Sequence, residues 1–87
     1  MAIWTRELDL KALNAGSTNT AISHLGIEFT EYGDDYVRAR IHVDERTCQP
    51  YGILHGGVSV VLAETLGSMA AACSIPEGYR CVGLSVT

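Results

Sequence analysis

Gly57-Val58-Ser59-Val60-Val61-Leu62-Ala63-Glu64-Thr65-Leu66-Gly67-Ser68-Met69-Ala70-Ala71-Ala72-Cys73 is the stretch that decides the fold. Its apolar residues occupy nearly every helical face, and a helix that is apolar all round is buried all round. Roughly 16 residues of helix span about 24 Å. The unbroken apolar run inside it, Val60 to Ala63, is far short of the ~20 residues a membrane span needs. Glu64 is the lone formal charge between Thr47 and Pro76.

Upstream the period changes from helix to strand. Ile27 and Phe29 alternate with Glu28 and Thr30, and Gly33-Asp34-Asp35 is turn chemistry. Val37, Ala39, Ile41 and Val43 then alternate with Tyr36, Arg38, Arg40 and His42, which predicts a long strand with one apolar face. The two segments form an antiparallel hairpin. A loop marked by Pro50 and Gly52 runs from Asp44 to about His55. Nearer the start, Asp9 caps a short helix stopped at Gly16. Thr18, Asn19 or Thr20 caps a second, through Leu25, that ends at Gly26.

Downstream, Pro76-Glu77-Gly78 is a turn, and Val82, Leu84 and Val86 begin a third strand. A helix buried on all sides must be wrapped by sheet, and three strands cannot wrap it. The fold class expected is α+β, an antiparallel sheet around one long central helix. Residues 1–87 are expected to be a single domain, truncated after the start of the third strand, or to borrow strands from another copy.

The 87 residues are 47% hydrophobic and 18% charged, a globular composition. A net charge of −4 with scattered Lys and Arg argues against nucleic acid. Cys48, Cys73 and Cys81 are an odd, widely spaced set with no CxxC, which fits reduced thiols in a cytoplasmic protein better than zinc or a disulfide framework. Met1 to Glu7 has no apolar signal-peptide core.

Glu64 is the first candidate for chemistry, since carboxylates in apolar surroundings cluster at active sites. Periodicity alone leaves a solvent-facing or ion-paired Glu64 equally open. Gly57, Gly67 and Ser68 share or adjoin its face, a stripe of small residues that leaves space. His55-Gly56-Gly57 stands where the loop enters the helix. First-turn N–H groups attract developing negative charge, and glycines allow an oxygen to approach the backbone, as an oxyanion hole requires. An isolated HGG is more often a plain turn. His55 and Gln49 are loop residues able to hydrogen-bond a carbonyl. Neither a Ser/His/Asp arrangement nor a phosphate loop is present.

Gln49-Pro50-Tyr51-Gly52-Ile53-Leu54-His55-Gly56-Gly57, followed by Leu62-Ala63-Glu64-Thr65-Leu66-Gly67-Ser68, resembles the hotdog-fold acyl/aryl-CoA thioesterases. The likeness is to the bacterial branch that includes the menaquinone-pathway and enterobactin proofreading enzymes. Ile3-Trp4 and Leu25-Gly26-Ile27 are similar as well, so the resemblance covers essentially the whole chain. It implies a sheet wrapped around one helix and a homodimer or homotetramer with the site at a subunit interface. It implies Glu64 as nucleophile or general base, Gly56 as the N–H that polarises the thioester carbonyl, and Gln49 and His55 as groups orienting carbonyl and loop. Ser68 matches a hydroxyl one turn after the carboxylate; Gly57, Thr65 and Leu54 match substrate-contacting positions. Gln49, His55 and Gly56 would come from one subunit, Glu64 and Ser68 from the other. The resemblance implies an acyl- or aryl-CoA, or a carrier-protein thioester, as substrate, with neither metal nor cofactor required; charge and the short apolar run predict no nucleic-acid or membrane partner.

Two other readings compete. A hotdog dehydratase uses His with an acidic residue in a different motif, and the Gln-Pro-x-Gly loop disfavours it. A non-catalytic oligomerisation or acyl-thioester-binding module has no need of Glu64.

Overall fold

In chain order the elements are α1 (Leu10–Gly16), α2 (Ala21–His24), β1 (Glu28–Tyr32), β2 (Val37–Arg40) and α3 (Gly56–Ala72), in a computed structural model that describes residues 1–85. The two short helices form where the expected caps stand. Asp9 accepts from the Lys11 N–H at 3.0 Å and opens α1. Thr20 opens α2, its hydroxyl accepting from the Ile22 N–H while Ser23 Oγ accepts from the Thr20 N–H. Each side chain satisfies a donor that has no partner inside its helix. At the end of α2, Gly26 N–H donates to Ser23 O and Ile27 N–H to Ile22 O. That is a Schellman closure, and it requires the left-handed backbone of Gly26, φ 78°.

Glycine-based turn chemistry also joins β1 to β2, with Gly33 N–H donating to Tyr36 O at 2.9 Å. The Tyr36 ring lies where a Gly33 side chain would be, so Gly33 permits the tyrosine to fold over the turn. The strands pair antiparallel, Glu28 opposite Arg40 and Tyr32 opposite Val37, with the register broken between Phe29 and Glu31. Thr30 is therefore the extra residue of a bulge. Phe29 is 2% exposed, while Glu31–Arg38 and Glu28–Arg40 pair on the outer face. The expected alternation of faces is thus present.

Side chains tie these pieces together. The Asn14 amide donates to Phe29 O at 3.0 Å and accepts from Phe29 N–H at 2.8 Å. It thereby docks α1 on β1 as a one-residue strand partner. Asn14→Ala is expected to cost about 1–3 kcal/mol, because a part-buried donor and acceptor are left unmet. Urea unfolding measures this; a loss below a few tenths would show water replacing the amide.

At the other end of the molecule, the N-terminal segment closes α3. Thr5 N–H donates to Cys73 O, Thr5 Oγ1 to Cys73 O and Ile75 O, and Arg6 to Ala72 O. The Ala72 and Cys73 carbonyls are among those a helix C-terminus leaves unpaired, and the Arg6 cation there complements the helix dipole. Trp4 Nε1 donates to Gly33 O at 2.7 Å, so the same segment ties the hairpin turn to the end of α3. β2 packs against α3.

Three expectations are corrected. β2 stops at Arg40 instead of reaching Val43, because its partner β1 begins at Glu28 and Ile27 is held by the α2 closure. A strand without a neighbour has no ladder. No strand forms in residues 79–85, where Val82 and Leu84 are exposed; Val86, the rest of the expected third strand, lies outside the described residues. Nor is α3 buried all round: of its residues Thr65 alone is fully buried, and Val60 is 45% exposed. A two-stranded hairpin covers one side of a helix.

Candidate active site

The loop before α3 is held by a threonine and a tight turn. Thr47 is fully buried, its hydroxyl donating to His42 O and accepting from Asp44 N–H. Arg46 clasps Asp44 and donates to His24 O at 3.0 Å, which fastens this loop to α2. Those side-chain and backbone hydrogen bonds from Arg46 hold the Asp44 carboxyl below its ordinary range.

Beyond Thr47 the chain doubles back. Cys48 bridges Leu54, Gln49 N–H donates to Ile53 O, and Gly52 N–H donates to Gln49 O. Gly52 turns the corner at φ 81°, a conformation few other residues adopt readily. The Gln49 side-chain oxygen accepts from Tyr51 N–H, and its NH₂ donates to no group among the described residues. Tyr51 and Ile53, at the loop tip, are 89% and 62% exposed. His55 N–H donates to Thr47 O, so the buried threonine also sets where α3 begins.

His55 is the N-cap of α3. Its Nδ1 accepts from Gly57 N–H at 2.9 Å, and its carbonyl accepts from Val58 N–H at 3.0 Å. Among the described residues, Gly56 N–H is then the first-turn donor without an acceptor. A side chain at Gly56 would meet nothing within 4 Å. A free donor at a positive helix end, with open space beside it, is what an oxyanion needs.

Glu64 lies two turns further along, half-buried, with Oε1 accepting from Ser68 Oγ at 2.7 Å. The spacing of four places the hydroxyl one turn above the carboxylate. Oε2 accepts from no group among the described residues. The chain passes this face at Cys81 and Gly83, with Gly83 against Glu64 Oε1, where a side chain would meet the carboxylate. An open cleft of about 530 Å³ lies beside them, lined by Ile22, Val61, Glu64, Thr65, Ser68 and Met69 among others.

The structure therefore brings together Glu64, Ser68 and Thr65 in the cleft, and Gln49, Leu54, His55, Gly56 and Gly57 at the start of α3. It does not join the two groups. Eight residues at 1.5 Å per residue put Gly56 about 12 Å along the axis from Glu64. One carbonyl group cannot touch both within a single chain. The apolar cleft wall was legible in part: Val61, Thr65, Ser68, Met69 and Ala72 recur at helical spacing on the Glu64 face. Thr47 gave no signal, since a loop threonine resembles any other. Among the described residues no group of three or more His, Cys, Asp or Glu could hold a metal, and no helix is long and apolar enough to cross a membrane.

Known proteins resemble this chain in sequence and in fold. The family described as Thioesterase superfamily matches residues 51–87. The proofreading thioesterase EntH of Cronobacter turicensis is 52% identical over 85 residues, which is 98% of this chain and 62% of that protein. A crystal structure of a mutant thioesterase from Pseudomonas aeruginosa superposes with a TM-score of 0.93 at 46% identity, covering 97% of this chain and 61% of its own. A thioesterase from Haemophilus influenzae gives 0.92 at 49% identity, covering 95% and 58%. The chain spans about three fifths of the length of these relatives. Over nearly all its residues the chain is similar in sequence to these thioesterases and shares their hotdog fold, and its residues 51–87 match the Thioesterase superfamily.

Proposed function

We propose that this chain supplies the catalytic half-sites of a thioester hydrolase acting on an acyl- or aryl-CoA, or on the same acyl group carried by a carrier protein. The observation that carries the reading is Glu64, a carboxylate oriented by Ser68 at 2.7 Å beside an apolar cleft, with Oε2 left for chemistry. The thioester carbonyl oxygen takes the Gly56 N–H, with the His55 and Gln49 donors beside it. Glu64 attacks the carbonyl carbon, or removes a proton from the water that does. Negative charge collects on the oxygen at the helix N-terminus, where it is stabilised. The C–S bond then breaks and the thiolate leaves, giving the free acid directly in the water route, or a Glu64–acyl anhydride that water then cleaves to the acid and Glu64 in the nucleophile route. Thiolates leave readily, so no strong acid is needed. The apolar cleft wall fits an acyl or aryl group.

Because Gly56 and Glu64 of one chain stand about 12 Å apart, each site combines Gln49, His55 and Gly56 of one copy with Glu64 and Ser68 of another. That separation supports a homodimer, or a homotetramer built from such dimers, as the working form. The domain to which residues 1–87 contribute is completed by further strands, consistent with the incomplete cover over α3. The site as proposed is in contact with neither nucleic acid nor membrane, and the chemistry asks for no cofactor. Such an enzyme works in the cytoplasm, where CoA thioesters are made.

Thiol release from benzoyl-CoA tests this. The assay uses residues 1–87 and also a chimera in which the C-terminal two fifths of EntH completes the chain. Release by either one, abolished when Glu64 is replaced, is the expected result. Absence of release from both overturns the reading.

A further inference from the structure

Gly57 has no backbone reason to be glycine. It lies inside α3, outside the three positive-φ glycines Gly26, Gly52 and Gly78. Alanine is the better helix former at such a position. What a side chain would press on is the His55 ring: a Cβ on Gly57 would sit 3.0 Å from His55 Cε1 and 3.1 Å from Nδ1, so the ring would have to move aside. Carbon contacts are normally 3.5–4.0 Å. At Gly56 and Gly67, by contrast, a Cβ would meet nothing within 4 Å. The ring that fills this space is the one whose Nδ1 accepts from Gly57 N–H at 2.9 Å. A ring nitrogen that accepts a hydrogen bond carries no proton, so the neutral His55 holds its proton on Nε2.

We propose that Gly57 is a positioning residue acting through His55: lacking a side chain, it lets the imidazole close over the first turn of α3 and fixes the Nε2–H tautomer. His55, when neutral, then carries a single donor, Nε2–H, at the start of α3, and the same cap uses up the Gly57 N–H. One of two adjacent glycines thereby keeps an open donor, and the other sets the tautomer of its neighbour. The consequence for catalysis rests on the thioesterase reading above; the tautomer itself does not.

The test uses the ¹⁵N-labelled chain and long-range proton–nitrogen spectra of its three histidines at pH ~9, where imidazoles are neutral. His24 and His42 are exposed and serve as internal references. In the unmodified chain, His55 is expected to show an unprotonated Nδ1 and a protonated Nε2, distinct from the mixture at the two references. Gly57→Ala is expected to move the His55 signals toward that mixture, with helix content and Tm retained or raised. His55 signals like those of His24 and His42 in the unmodified chain would overturn the proposal. So would a Gly57→Ala chain in which His55 stays fixed. In the hydrolysis assay, Gly57→Ala is expected to lower kcat about 3- to 10-fold, the worth of one neutral hydrogen bond. It should do nothing further in a His55→Ala background; an equal loss in both backgrounds would rule out action through His55. If no hydrolysis is found at all, the thioesterase reading fails while the spectra still decide the role of Gly57.

Discussion

Replacing Glu64 by glutamine is expected to lower thioester hydrolysis at least about 100-fold, the loss that follows removal of a general base or nucleophile. Glutamine keeps the length and the carbonyl oxygen, so the Ser68 hydroxyl retains its acceptor and the fold is undisturbed. What it removes is the negative charge that either activates water or attacks the carbonyl. Glu64→Ala should lose as much or more, since it also strands the Ser68 donor in the cleft wall. The comparison uses thiol release from benzoyl-CoA at saturating substrate, with unfolding curves on the same samples. Near-full turnover in Glu64→Gln would show that α3 carries a carboxylate with no part in the reaction.

The second large effect is expected at Gly56. Proline there deletes the one first-turn N–H that has no acceptor among the described residues. Three features make this a clean deletion. Gly56 is the first helical residue, where proline is favoured. His55 before it has φ −66° and ψ 128°, the extended backbone proline demands of its neighbour. A Cβ at position 56 would meet nothing within 4 Å outside its chain neighbours and its own helix backbone. Folding should therefore survive, while kcat falls about 10²- to 10³-fold, as when one oxyanion donor is lost. Unchanged kcat with an intact fold would place the oxyanion at another donor.

Much of this was written locally in the sequence. The helix from Gly57 to Cys73 is displaced by one residue from the observed Gly56–Ala72, and the caps at Asp9, Thr20 and Gly26 function as their residue types require. These features depend on neighbours three or four residues away. The hairpin was legible too, but its length was not: alternation through Val43 says which face is apolar, whereas the strand ends where β1 ends. Burial around α3 was overestimated for the same reason, since an apolar sequence states what should be covered and not what covers it. The Asn14 brace on Phe29 and the Thr5 and Arg6 closure of α3 join residues 15 and about 70 positions apart. No periodicity announces such pairs. Among the candidate residues, Glu64 and Ser68 were legible as a helical pair. The contact of Gly57 with the His55 ring depends on a rotamer that sequence does not specify.

The proposed site requires Glu64 to meet the Gly56 N–H of a different chain, and subunit mixing tests that most directly. Chains carrying Gly56→Pro and chains carrying Glu64→Gln, each inactive alone, are co-expressed under different tags in the EntH-completed form. In a two-fold dimer with random pairing, half the dimers are mixed, and each of these has one site intact in both groups. The account predicts recovery to about a quarter of the unmodified rate. Activity no higher than the two variants alone, from dimers shown to be mixed by tandem purification, would contradict it.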